Sequence, residues 1–164
     1  MSPENRKKLA RLLLVASPLV ALDQASKWLI QKTIPLYEAI PVIPGFFDLT
    51  HAHNTGGAFG MFADHGPLVR VILFLVLTVA AAVMVLWLYH RTPLKDRLFG
   101  WALCLIFAGA VGNLVDRFRF GYVDDFLLLH AGRFQWPAFN VADSAVSVGV
   151  TILVIHVLFG KEPF

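Results

Sequence analysis

Apolar and polar residues fall along this chain in long blocks. Three runs carry no charge at all: Val71 to Tyr89, Leu98 to Val115, and Ser144 to Gly160. A helix needs about 20 apolar residues to cross about 30 Å of hydrocarbon, and each run approaches that length. A fourth block begins at Leu9, is uncharged from Leu12 to Leu22, and continues to about Ile34 despite Asp23 and Lys27. The pattern predicts one all-α membrane domain over 1–164 with four transmembrane helices, near 9–34, 68–90, 97–116 and 140–160. Two longer segments, about 35–67 and 117–139, and one short link join them.

The segment 35–67 does not read as a plain connection. Phe47, Leu49, His51 and His53 alternate with Asp48, Thr50, Ala52 and Asn54, the period of two expected of a strand. The glycine pair in N-T-G-G-A-F that follows permits a tight turn. A small β-element is therefore expected beside the helices. The chain contains no internal repeat or low-complexity stretch.

Composition supports a membrane protein. Of the residues, 57% are hydrophobic and 15% charged, with a mean hydropathy of +0.67, against about 25% charged in ordinary soluble domains. The net charge of +3 matters less than where the cations stand. Arg6, Lys7, Lys8 and Arg11 precede the first span, Arg91, Lys95 and Arg97 fill the short link, and Lys161 follows the fourth. By the positive-inside rule these segments and both termini are cytoplasmic. A basic start before an apolar run also describes a secretory signal peptide. No A-x-A-like cleavage site follows, so the first helix reads as a retained span. The one cysteine, Cys104, has no partner for an internal disulfide and reads as a packing residue.

In that orientation the in-span and near-span polar residues gather at one surface. Asp23 and Lys27 fall in the outer part of the first span, and Asn113, Asp116 and Arg117 close the third. Asp124 and Asp125 follow in the loop, and Asn140 and Asp143 open the fourth span. Ionisable residues within a membrane are expensive and mark function by default. Structural readings exist for the parts: Asp23 and Lys27 stand i, i+4 and can neutralise each other, and Asp116 and Arg117 can snorkel. Gly109 and Gly112 read as sites of close helix approach. Asn113 and Arg117, again i, i+4, share a face toward one polar cavity, and Asn140 suits either a cap on the last span or an orienting role. None of the structural readings explains why the whole set shares one leaflet.

The strongest chemical pair is Asp125 with Asp143. Neighbouring carboxylates cannot both ionise cheaply, so they share a proton. The ionised member takes a proton from water while the protonated one donates to a carbonyl oxygen, which suffices for water to attack an amide. Asp143, at a helix N-terminus, is expected to be the anion; Asp125, among apolar neighbours in V-D-D-F-L-L-L, is expected to hold the proton. Other chemistries fit less well. His51 and His53 face the same way on a strand and suit a metal, but no third ligand stands at a sensible spacing. Serine catalysis at Ser144 or Ser147 lacks a base, since His156 lies far down the same helix and reads as packed. A Ser/Lys scheme would draw on Lys27 with Ser26 or Ser144. N-T-G-G lacks the ending of a phosphate loop, and neither nucleic acid nor any cofactor is implied. A proton-coupled transporter would place its acids near the midplane of a repeat, and a non-catalytic scaffold leaves the paired acids unexplained.

L-D-Q-A-S-K in the first span, N-T-G-G-A-F, G-N-L-V-D-R, G-Y-V-D-D-F and F-N-V-A-D-S follow one another in an order and spacing that resembles the prolipoprotein signal peptidases, the type II signal peptidases of bacteria. The likeness covers nearly the whole chain. It implies an aspartyl endopeptidase of the bacterial inner membrane that cuts diacylglyceryl-prolipoproteins just before the lipidated cysteine. It also implies a periplasmic-side site and sensitivity to the cyclic peptide globomycin. Matched by motif, the catalytic pair is Asp125 and Asp143, with Asp124 at the variable position of its motif. The supporting residues are Asp23, Lys27, Asn54, Gly56, Asn113, Asp116, Arg117 and Asn140. A monomer is expected, and His51 and His53 match no motif of the family.

Overall fold

A computed structural model describes residues 1–56 and 66–159. Gly57 to Phe59 of the glycine turn, the remainder of the segment to residue 65, and Lys161 lie outside the described residues.

Four long helices form as the apolar blocks require: α1 Pro3–Thr33, α2 Pro67–Arg91, α3 Arg97–Phe120 and α4 Val141–Phe159. All four are long and apolar enough to cross a membrane. Helix α1 starts well before Leu9 because the Ser2 side chain caps it, accepting from the Asn5 N–H, with Pro3 in the first turn. Helix α3 extends past residue 116 to Phe120.

Helix α3 is central and packs against each of the other three. Against α4 the contact is backbone-close. A Cβ on Gly109 would lie 2.3 Å from the Ala142 carbonyl oxygen, and one on Gly112 would lie 2.8 Å from Asp23 Oδ2. Lipid tails are as apolar as leucine, so close packing and polar contacts hold such helices together. At the end that carries the short α2–α3 link, Leu12, Val15, Val85, Tyr89, Phe99, Leu103 and Cys104 form the main apolar core. Lys8 donates to the His90 carbonyl at 2.9 Å and Arg11 to the Tyr89 hydroxyl at 2.9 Å, so the basic N-terminus and the link share one end of the bundle. Large apolar side chains such as Val76, Val83, Trp87, Val150 and Phe159 point outward, as a lipid-facing surface demands.

The other end bears a four-stranded antiparallel sheet in the order β1–β2–β3–β4. The strands are β1 Ala39–Ile43, β2 Phe47–Asn54, β3 Val123–Ala131 and β4 Phe134–Gln135. Strand β2 covers the stretch whose alternation predicts it. The β-element is nevertheless larger than the sequence suggests, for half its strands come from the second long segment. Pairing between β2 and β3 joins residues about 75 positions apart, which a local periodicity cannot reveal. Ile30, Ile34 and Phe126 bury together, with Leu49, Leu127 and Val141 against them, and so seat the sheet on the ends of α1 and α4.

Candidate active site

The site grows from the start of α4. Asn140 is wholly buried and caps the helix: its Oδ1 accepts from the Asp143 N–H at 2.9 Å, and Asp143 Oδ2 accepts in return from the Asn140 N–H at 3.2 Å. This reciprocal pair is a capping box built from Asn and Asp. It holds the Asp143 carboxylate at the positive end of the helix dipole. The other oxygen, Oδ1, accepts from Asn113 Nδ2 on α3 at 2.7 Å.

Asp125 arrives on β3. Just before the cap, Phe139 exchanges backbone hydrogen bonds with Leu127, accepting at 2.7 Å and donating at 3.0 Å. That bridge ties β3 to the entrance of α4 and draws Asp125 to the cap. Asn140 Nδ2 donates to Asp125 Oδ1 at 2.8 Å, and Asn54 Nδ2 of β2 donates to Oδ2 at 2.9 Å. One asparagine therefore touches both acids, and the predicted cap and the predicted orienting role belong to the same side chain. Burial, and after it the Asp143 charge, push the Asp125 carboxyl up to about 7; the hydrogen bonds from Asn54 and Asn140 oppose this.

Beneath the pair lies a buried cation. Lys27 Nζ meets Asp23 Oδ2 at 2.8 Å, Asp116 Oδ2 at 2.7 Å and Asn113 Oδ1 at 3.2 Å. Its three donors are thereby used. Two carboxylates against one ammonium leave an excess negative charge. The remaining Asp23 oxygen accepts from the Ala142 N–H at 2.9 Å, so the N-terminus of α4 takes part of that charge. The expected i, i+4 pair of Asp23 and Lys27 is thus one edge of a three-helix network. Asp116 is buried within it and does not snorkel. Arg117 is half-buried; its guanidinium donates to the Asn113 carbonyl at 3.4 Å and is near enough to Asp143, Asp125 and Asp116 for their charges to act on it.

Gly56 has φ +86°, and a Cβ there would lie 2.2 Å from the Phe74 ring. Its N–H donates to Asn54 Oδ1 at 2.9 Å, which turns the Asn54 amide nitrogen toward Asp125.

Sequence reasoning passed over two glutamines. Gln24 Nε2 donates to Asp116 Oδ1 at 2.8 Å, and Gln31 Nε2 donates to Asp124 Oδ2. Both stand on α1 beside residues that were singled out, and an i, i+4 reading from Lys27 would have reached Gln31. Spacing along the sequence offered His51 and His53 no third group, but the fold brings Asp124 beside them. Strand pairing sets His53 opposite Asp124, and Asp124 Oδ1 lies 3.4 Å from each histidine Nε2. His156 packs on Phe99 with ring centroids 5.3 Å apart and meets Asp96 Oδ2 at 3.2 Å, at the end of the bundle away from the site.

Comparison with known proteins agrees with this architecture. The family described as Signal peptidase (SPase) II matches residues 15–159. A lipoprotein signal peptidase of Desulforapulum autotrophicum is 55% identical over 97% of this chain and 98% of its own length. One from Syntrophotalea carbinolica is 46% identical over 88% of each. A bacterial membrane enzyme solved by the in meso method superposes with a TM-score of 0.79 at 28% identity, covering 93% of this chain and 92% of the other. With its motifs in order, its fold matched and its length covered, this chain belongs to the signal peptidase II family.

Proposed function

We propose that this protein removes the signal peptide from diacylglyceryl-modified prolipoproteins by cutting just before the lipidated cysteine, with Asp125 and Asp143 activating the water. The observation that carries the reading is the convergence of two acids from separate chain segments on Asn140. Asp143, held by a capping box and by Asn113, is the base that takes a proton from water. Asp125, raised to about 7 chiefly by burial, holds the proton that polarises the scissile carbonyl. As the amide breaks, Asp143 returns its proton to the leaving nitrogen. Arg117 lies where its charge steadies the anionic pair, and the Lys27 network fixes the floor beneath them.

The substrate is itself a lipid-bearing membrane segment. Its acyl chains can remain in hydrocarbon between helices while the sheet clamps the extended peptide against the pair, and such positioning supplies much of a hydrolase's rate. The basic residues gathered at the far end support cytoplasmic termini and acids at the periplasmic face of the inner membrane. One chain supplies every residue of the site, in keeping with a monomer, and a globomycin-type cyclic peptide would compete for the same cleft. The test is signal-peptide release from a lipidated precursor by the purified protein in detergent. Release should vanish in Asp125→Asn and in Asp143→Asn with folding intact; turnover near that of the unaltered protein in either variant overturns the assignment.

A further inference from the structure

His51, His53 and Asp124 lie on the sheet, on the side of β3 opposite Asp125. His51 and His53 are two apart on β2 and so face one way, and Asp124 sits across from His53 on β3. One ligand atom from each residue falls within 4.8 Å of the others. His51 and Asp124 are 7% and 0% exposed. Among the described residues neither His51 Nε2 nor Asp124 Oδ1 has a hydrogen-bond partner, although each faces the other.

The surroundings dictate which atoms carry lone pairs there. His51 Nδ1 lies 2.9 Å from the Ile34 carbonyl oxygen. A carbonyl only accepts, so Nδ1 carries a proton, and in the tautomer with that one proton Nε2 presents a lone pair toward Asp124. The Asp124 carboxylate is held through its other oxygen by Gln31. His53 is fixed by stacking on Tyr122, with ring centroids 3.7 Å apart. Two acceptors pointed at each other in a dry place repel unless something positive lies between them. A bridging proton would draw the atoms to about 2.7–2.9 Å, yet both separations are 3.4 Å. A tetrahedral ion with bonds of about 2.0–2.1 Å sets its ligand atoms roughly 3.4 Å apart.

We propose that His51 Nε2, His53 Nε2 and Asp124 Oδ1 form a three-ligand site for a borderline divalent cation of the Zn²⁺ class. The remaining coordination position falls to water on the side of His53, the more exposed ligand. The Ile34 carbonyl and the Gln31 amide orient the ligands from behind, the usual outer support of such sites. The ion staples β2 to β3 one residue from Asn54 and one from Asp125, and so braces the strands that carry the site without entering the chemistry. This holds whether or not the chain cleaves lipoproteins.

The test uses the full-length protein in detergent, stripped with chelator and titrated with Zn²⁺ alone, with bound metal measured after dialysis. Co²⁺ in place of Zn²⁺ reports the geometry by its visible absorption. One Zn²⁺ per chain is expected, with a tetrahedral Co²⁺ spectrum. His53→Ala, whose partly exposed side chain makes it the variant most certain to fold, should weaken binding more than tenfold. Gln31→Ala, which frees the carboxylate without removing a ligand, should weaken it about 10- to 100-fold. His156→Ala should leave binding unchanged. Absence of saturable Zn²⁺ binding, or equal affinity in His53→Ala with an unaltered melting temperature, overturns the proposal and leaves a proton between the pair. Loss of binding in His156→Ala places the ion elsewhere and overturns it as well.

Discussion

Asp124 and Asp125 are adjacent, both nearly inaccessible, and identical in chemistry, yet they face two different environments. Asp125 meets two asparagine amides and lies within the field of the Asp143 charge. Asp124 meets a glutamine and two imidazoles. The cause is the pleat: successive side chains of a strand point to opposite faces, so a shift of one residue exchanges one environment for the other. What a carboxylate can do is thus set by what its face of the sheet is packed against. The amides beside Asp125 both donate to it and favour its ionised form, while burial and the Asp143 charge favour the proton. The imidazoles beside Asp124 call for a cation.

The sharpest way to break this contrast is to neutralise each acid in turn. Asp125→Asn and Asp143→Asn should each lower kcat for signal-peptide release by about 10²- to 10⁴-fold, the range for a lost acid–base group. Asp124→Asn should lower it by less than about tenfold, its cost falling on the stability of the sheet. A dead Asp124→Asn beside an active Asp125→Asn would reverse the assignment of the two faces.

A second test removes the cation beneath the site. Lys27→Met leaves Asp23 and Asp116 buried without their counter-charge and should destabilise the protein by about 3–5 kcal/mol, measured by unfolding in detergent. Little change there would mean that water reaches the network. Replacing Asn140 by Ala deletes the helix cap and the link between the two acids. It should cost about 1–2 kcal/mol of stability and lower kcat more than it raises KM, since the loss is in aiming the acids.

The finest test is pH. The folded-state pKa of Asp125 is raised to about 7 from 3.8, so the folded protein holds that proton more tightly than the unfolded chain. Its contribution to stability is therefore greatest below about pH 4 and declines as pH rises to about 7. Activity should fall on the alkaline side of about pH 7 as the pair loses its shared proton, a limb that belongs to both acids. Asn54→Ala removes a hydrogen bond that favours the ionised form and should move that limb to higher pH. A limb that stays in place would mean Asn54 does not bear on the proton.

Much of this was legible before any coordinates. Apolar runs close to a bilayer's thickness have no other economical use, so the four helices follow from length and hydropathy. Strand β2 follows from the alternation that starts at Phe47, and the proposed dyad from motifs whose spacing matches the family. The glutamines were less legible, because an uncharged amide in a helix signals less cost than a charge does, although Gln31 stands one turn from Lys27.

What hydropathy and motif order could determine were properties of single segments: which stretches cross the lipid, which end is basic, which acids stand apart. Joining the segments was left to the tertiary structure. The β2–β3 register, the Phe139 bridge and the close approach allowed by Gly109 and Gly112 each depend on residues distant in sequence. Those contacts alone decide that Asn140 touches both acids, that Lys27 and Asp23 anchor a network joining three helices, and that two histidines find an aspartate across the sheet. The reason is that hydropathy is a sum over neighbours along the chain, whereas hydrogen bonding and charge pairing act only across space.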